Sequence, residues 1–135
     1  MPTIMADHDV EGHLRVLTRI WSSPDFIGLW AETGCSFESF ERLGLEPNTP
    51  DRVVWNLCQE REIILLTGNR NADGDDSLEE TIQRESTADS LPVFTISNPD
   101  RFMKDSHYAE QVAARIHDYL QVLDRLRGAG LVYLP

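Results

Sequence analysis

The run IILLT, Ile63–Thr67, is apolar up to its closing threonine. A strand that alternates apolar and polar residues covers one face of a core. One that is apolar throughout is buried on both faces, the situation of a parallel sheet with helices on each side. LPVFTIS, Leu91–Ser97, repeats the pattern. PTIMA (Pro2–Ala6) and LVYLP (Leu131–Pro135) read as shorter strands at the two ends.

Helical periodicity fills the intervals. Val10, Leu14, Leu17 and Trp21 recur at helical spacing, with Asp7 or Asp9 available as cap and Ser22, Ser23 and Pro24 as the stop. Phe26, Ile27, Leu29 and Trp30 predict a short helix ended by Gly34, and Phe37 and Phe40 flank a short second strand. Thr49 reads as an N-cap and Pro50 as the first residue of a helix with an apolar stripe of Val53, Val54, Leu57 and Cys58. SLEETIQRE (Ser77–Glu85) reads as a helix capped by Asp76 or Ser77. The stretch Asp105–Gly128 predicts one long helix. Its stripe is Tyr108, Val112, Ile116, Tyr119 or Leu120, Leu123 and Leu126, and Gly128 or Gly130 ends it. Strands alternating with helices predict an α/β three-layer sandwich with a mostly parallel central sheet of four to five strands, one domain over residues 1–135.

In open parallel sheets, sites form beyond the carboxyl ends of the strands, where strand order reverses. That rule singles out the residues after Ala6 and after Thr67. Asp7 follows the first strand, with His8 and Asp9 beside it, and Asp51 opens a helix. Asn69, Asn71, Asp73, Asp75 and Asp76 follow IILLT. Carboxylates gathered at strand ends hold hard cations such as Mg²⁺ or Mn²⁺ through oxygen. A cation so held lowers the pKa of bound water and offsets charge on a phosphoryl group. Each acid also has an ordinary structural reading. Asp51 suits the first turn of a helix, Asp73 and Gly74 make a turn, and Asp75 or Asp76 caps the next helix. Asn69–Glu80 matches much of a calcium-binding EF-hand loop, with oxygen residues at its first, third, fifth and ninth positions, Gly74 at the sixth and Glu80 at the twelfth. Against that match, the first position is Asn69, the eighth is the acid Asp76, and the loop follows a strand.

The formal net charge of −11 counts against general binding of nucleic acid but not against an enzyme that holds a divalent metal. Eleven of the twelve basic residues are arginine, and Lys104 is the only lysine. No apolar stretch approaches the ~20 residues needed to span a bilayer, so no membrane association is expected. The start lacks the pattern of a secretory signal, so a bacterial-type cytoplasm is the simplest expectation. Cys35 and Cys58 then read as reduced, packed side chains. No GxSxG, GxGxxG or GxxxxGK[ST] motif is present.

Three features together, IMADHD at the first strand end, the helix opening PDRVVWNLCQERE and the strand IILLTGNRN, resemble the PIN-like nuclease superfamily. The likeness is to its compact prokaryotic branch, related to toxin-type ribonucleases, and runs from Pro2 to about Ile96. It implies Mg²⁺- or Mn²⁺-dependent hydrolysis of RNA phosphodiesters by a metal-activated water. Asp7 and Asp51 would be metal ligands, and Asp73, Asp75 or Asp76 would complete the catalytic set. Arg70 and Asn69 would be the candidates for contact with substrate. Asn69 and Asn71 stand where the branch commonly has acids. This departure carries the alternative expectation of an inactive PIN-like interaction or regulatory module, a homodimer or bound to an antitoxin-like partner protein.

Overall fold

The structure is a computed structural model that describes residues 1–68 and 77–135. The chain runs β1 (Thr3–Ala6), a 3₁₀ turn (His8–Val10), α1 (Glu11–Trp21), α2 (Ile27–Ala31), β2 (Ser36–Glu38), α3 (Phe40–Leu43) and α4 (Asp51–Glu60). It continues through β3 (Ile64–Gly68), α5 (Leu78–Glu85), β4 (Val93–Ile96), α6 (Pro99–Lys104), α7 (Ser106–Gln121), α8 (Leu123–Leu126) and β5 (Leu131–Leu134). The five strands form one sheet in the order β2-β1-β3-β4-β5, and every pairing is parallel.

Alternation along the strands builds two cores. Ile4, Ala6, Ile64, Leu66, Phe94 and Ile96 face one side, where α1 and α7 bring Leu14, Leu17, Trp21, Val112 and Ile116. Met5, Ile63, Leu65 and Val93 face the other, where α4 and α5 bring Val54, Trp55, Cys58, Leu78 and Ile82. This is the α/β sandwich expected from the apolar runs: helices on both faces leave no solvent-facing side for polar residues to occupy. Trp21 fixes the first core. Its indole N–H donates to the Ala113 carbonyl at 3.1 Å. Its ring stacks on Trp30 with centroids 3.7 Å apart and planes 4° from parallel.

The hand of the connections is not uniform. The β1–α1–β2, β2–α4–β3 and β3–α5–β4 crossovers share one hand, judged from the direction across the sheet and the face used. The β4–α7–β5 crossover moves in the same direction as β3–α5–β4 but packs on the opposite face, so it has the other hand, which is rare in parallel sheets. It places α6 and α7 beside α1.

Several local expectations are corrected. The long helix expected over Asp105–Gly128 is two pieces, α7 and α8, and a separate short helix, α6, precedes it. Asn98 caps α6 through Arg101 N–H, and Asp105 caps α7 through Tyr108 N–H. Val122 then leaves the helical region at φ −123° before α8. Gly128, at φ +83°, turns the chain back so that its N–H reaches Ser90 O. Thr49 is not the cap of α4. Its hydroxyl donates to Glu46 O at 2.6 Å, Pro50 takes the cap position, and the helix starts at Asp51. That shift makes Val54, Trp55 and Cys58 the buried stripe and leaves Val53 49% exposed. Of the two expected caps for α5, Ser77 takes the role, its Oγ accepting from Glu80 N–H. Among the described residues no helix is long and apolar enough to cross a membrane.

Candidate functional site

The strand order reverses between β1 and β3, because the chain first moves outward to β2 and then returns past β1. The carboxyl ends of these strands and of β4 are where a ligand has access. The Asp7 N–H donates to Leu66 O at 2.8 Å, extending the β1–β3 register one residue past Ala6. Ala6, Leu66 and Phe94 face α1 and α7. The next residues, Asp7, Thr67 and Thr95, therefore form a row on the α4–α5 face, strands about 4.8 Å apart. All three are buried. The charge of Asp7 reaches Cys58 on α4: burial, with Asp7 adding to it, pushes the Cys58 thiol up to about 12. Burial likewise raises Cys35 to about 12, opposed by a backbone hydrogen bond at Ile4, so neither cysteine carries the thiolate that nucleophilic chemistry needs.

One Asp7 oxygen, Oδ1, accepts from His8 N–H at 2.9 Å and starts the 3₁₀ turn. That turn carries the chain over the rim and into α1. A cavity of about 230 Å³ opens there, lined by Asp7, Asp9, His13, Gly68, Pro99 and Asp100. The sequence pattern does not single out Asp9 or Asp100 as ligands. Asp9 sits inside the 3₁₀ turn and Asp100 in the first turn of α6. The only local signal is that each follows a predicted strand closely. His13 Nε2 lies 2.9 Å from Pro99 O. A carbonyl only accepts, so Nε2 carries the proton, and Nδ1 of a neutral ring is an acceptor. That nitrogen is buried with no hydrogen-bond partner among the described residues. Phe102 supports the ring, centroids 5.1 Å apart. Gly68 fits tightly: an added Cβ would stand 3.1 Å from Pro99 Cγ and 3.2 Å from Val10 Cγ1.

Asp51 is the first residue of α4, on the opposite face of the sheet, and does not line this cavity. Because α4 returns the chain from β2 to the parallel β3, its first turn sits at the same carboxyl rim. Asp7, Asp9 and Asp51 each take part in further hydrogen-bond or electrostatic interactions. Asn69, Arg70, Asp73, Asp75 and Asp76, and most of the proposed calcium loop, lie outside the described residues. Among the described residues no three His, Cys, Asp or Glu side chains gather closely enough to hold a metal ion by themselves. The donors at the rim are nonetheless carboxylates, which suit a hard cation that keeps several waters and takes one or two protein oxygens.

Comparison with protein-family models, with curated proteins and with solved structures gives no match to this chain.

Proposed function

We propose that the protein is a PIN-like nuclease that hydrolyses RNA phosphodiesters with Mg²⁺ or Mn²⁺ in a bacterial-type cytoplasm. One observation carries this reading: three acidic residues, Asp7, Asp9 and Asp100, border a single cavity at the carboxyl ends of β1, β3 and β4, beside the reversal of strand order. When bound, the cation would supply a water of lowered pKa and offset charge on the phosphate. Asp7 and Asp51, with one of Asp73, Asp75 and Asp76, are the residues to hold it. The ladder bond at its N–H and the His8 cap orient Asp7 before any ligand arrives. His13 lines the same cavity, its ring fixed by the hydrogen bond from Nε2 to Pro99 O. Arg70 and Asn69, next in sequence after β3, would contact substrate phosphate.

Replacing Asp7 with Asn keeps the size of the side chain and removes its charge. The expected outcome is loss of Mn²⁺-dependent RNA cleavage with an unchanged far-UV spectrum. Cleavage at the parental rate by Asp7→Asn sinks the mechanism.

Asn69 and Asn71, in place of acids after β3, favour a second reading. It is a non-catalytic PIN-like module that works through a partner protein or as a homodimer. Calorimetry separates the two: saturable Mn²⁺ binding that is lost in Asp7→Asn counts against the second.

A further inference from the structure

A second cavity, about 220 Å³, lies on the other side of the β1–α1 connection. Its lining includes Ala6, the residue before Asp7, Glu11, Leu14 and Arg15 of α1, and Phe37 and Glu38 of β2. Its size falls below the ~300–1,000 Å³ of drug-sized pockets and suits one flat ring system. Ala6 and Leu14 are buried and, with Phe37, give it apolar walls. Its carboxylates are partly accessible, with side-chain exposures of 33% for Glu11 and 22% for Glu38. The Glu38 oxygen Oε1 accepts from Ser39 N–H at 3.1 Å and meets Arg42 Nε at 3.2 Å. These contacts hold the carboxylate in place while Oε2 takes part in neither. Glu11 is held in the same way, by His8 Nδ1 at 2.9 Å on Oε1. Arg15 is exposed and has no ion pair among the described residues.

We infer that this cavity is a nucleobase subsite that selects guanine, with Glu38 accepting from the base and Arg15 taking a phosphate of the same nucleotide. Apolar walls take the faces of a ring, and oriented carboxylates take N–H donors at its edge. Guanine alone among the RNA bases presents an imino and an amino N–H side by side, so it fits acceptor-only partners. Adenine and cytosine offer one amino group next to a bare ring nitrogen, which a carboxylate repels. Arg15 supplies a planar cation suited to phosphate. The cavity borders the strand end that carries Asp7, so a base seated there leaves its phosphate near the proposed cleavage rim. The RNA context rests on the nuclease reading, but the subsite itself does not need cleavage to be detected.

The test is calorimetry with GMP and AMP in metal-free buffer on the full chain, alongside tryptophan fluorescence. Phe37 stacks against Trp21 and Trp30, with centroids 6.0 and 6.3 Å away, so occupancy should change that emission. GMP should bind about tenfold or more tighter than AMP. Glu38→Gln, which keeps an acceptor for Ser39 and Arg42, should erase the preference, and Arg15→Ala should weaken both nucleotides. Absence of saturable GMP binding, or equal GMP and AMP binding untouched by Glu38→Gln, overturns the subsite. Failure of the nuclease reading would show as absent cleavage with this binding intact.

Discussion

The backbone N–H of Asp7 donates to the carbonyl of Leu66 at 2.8 Å, so β1 and β3 stay paired one residue beyond Ala6. Asp7 is thus held by the sheet ladder rather than by a loop. Its carboxylate stands in a row with Thr67 and Thr95 on the α4–α5 face, and its backbone leads into the cavity on the α1 face.

Asp100 lines the same cavity as Asp7 but is delivered by α6. If the cation is held partly through waters, removing this charge should weaken it without abolishing the fold. Asp100→Asn should raise the Mn²⁺ concentration for half-maximal cleavage roughly 10-fold or more. An unchanged metal dependence would remove Asp100 from the site.

Gly68 closes β3 between Pro99 and Val10. Its φ is not in the left-handed region, so the constraint is space alone. Gly68→Ala should cost about 1–3 kcal/mol by overpacking and lower Tm by a few degrees. Thermal unfolding followed by circular dichroism measures this; a parental Tm would show that Pro99 and Val10 yield freely.

The Thr95 hydroxyl is buried with no hydrogen-bond partner among the described residues. Valine has the same shape and leaves nothing unsatisfied. Thr95→Val should therefore be neutral or stabilising, by up to about 1 kcal/mol. Denaturant unfolding decides it, and a loss larger than that would reveal a partner for the hydroxyl.

Burial, helped by Asp7, holds the Cys58 thiol protonated up to about 12, against 9.0 in the open chain. Above pH 9 the unfolded chain sheds this proton while the folded chain keeps it. The unfolded state then binds fewer protons, so stability falls as pH rises from 9 towards 12, by up to about 1.4 kcal/mol per pH unit. Urea midpoints measured across that range should decline, and Cys58→Ala should flatten the decline. At pH 8 Cys58 should resist alkylation until the protein unfolds. Prompt labelling in the native state would contradict the burial.

The layered architecture is legible because burial on two faces is written locally. Ile63–Thr67 and Leu91–Ser97 have no polar residue to offer solvent until their ends, and Leu14, Leu17 and Trp21 repeat at helical spacing. Element ends are less legible. Pro50 caps α4 where local pattern favours Thr49, and Val122 breaks a helix that local pattern continues to Gly128, because helix ends depend on backbone angles that neighbouring packing sets.

Asp7 at the end of a strand follows from the sequence by itself, as does the parallel α/β order, since apolar periodicity acts within a few residues. Which acids share a cavity is a different matter. The order β2-β1-β3-β4-β5 makes β1, β3 and β4 neighbours. The opposite hand of the β4–α7–β5 connection carries Asn98–Asp100 to the α1 side, where Asp100 lines one cavity with Asp9 and His13. Lateral strand order and crossover hand are fixed by packing between residues far apart in the chain. No local pattern encodes them, so the company that Asp7 keeps was decided only when the chain folded.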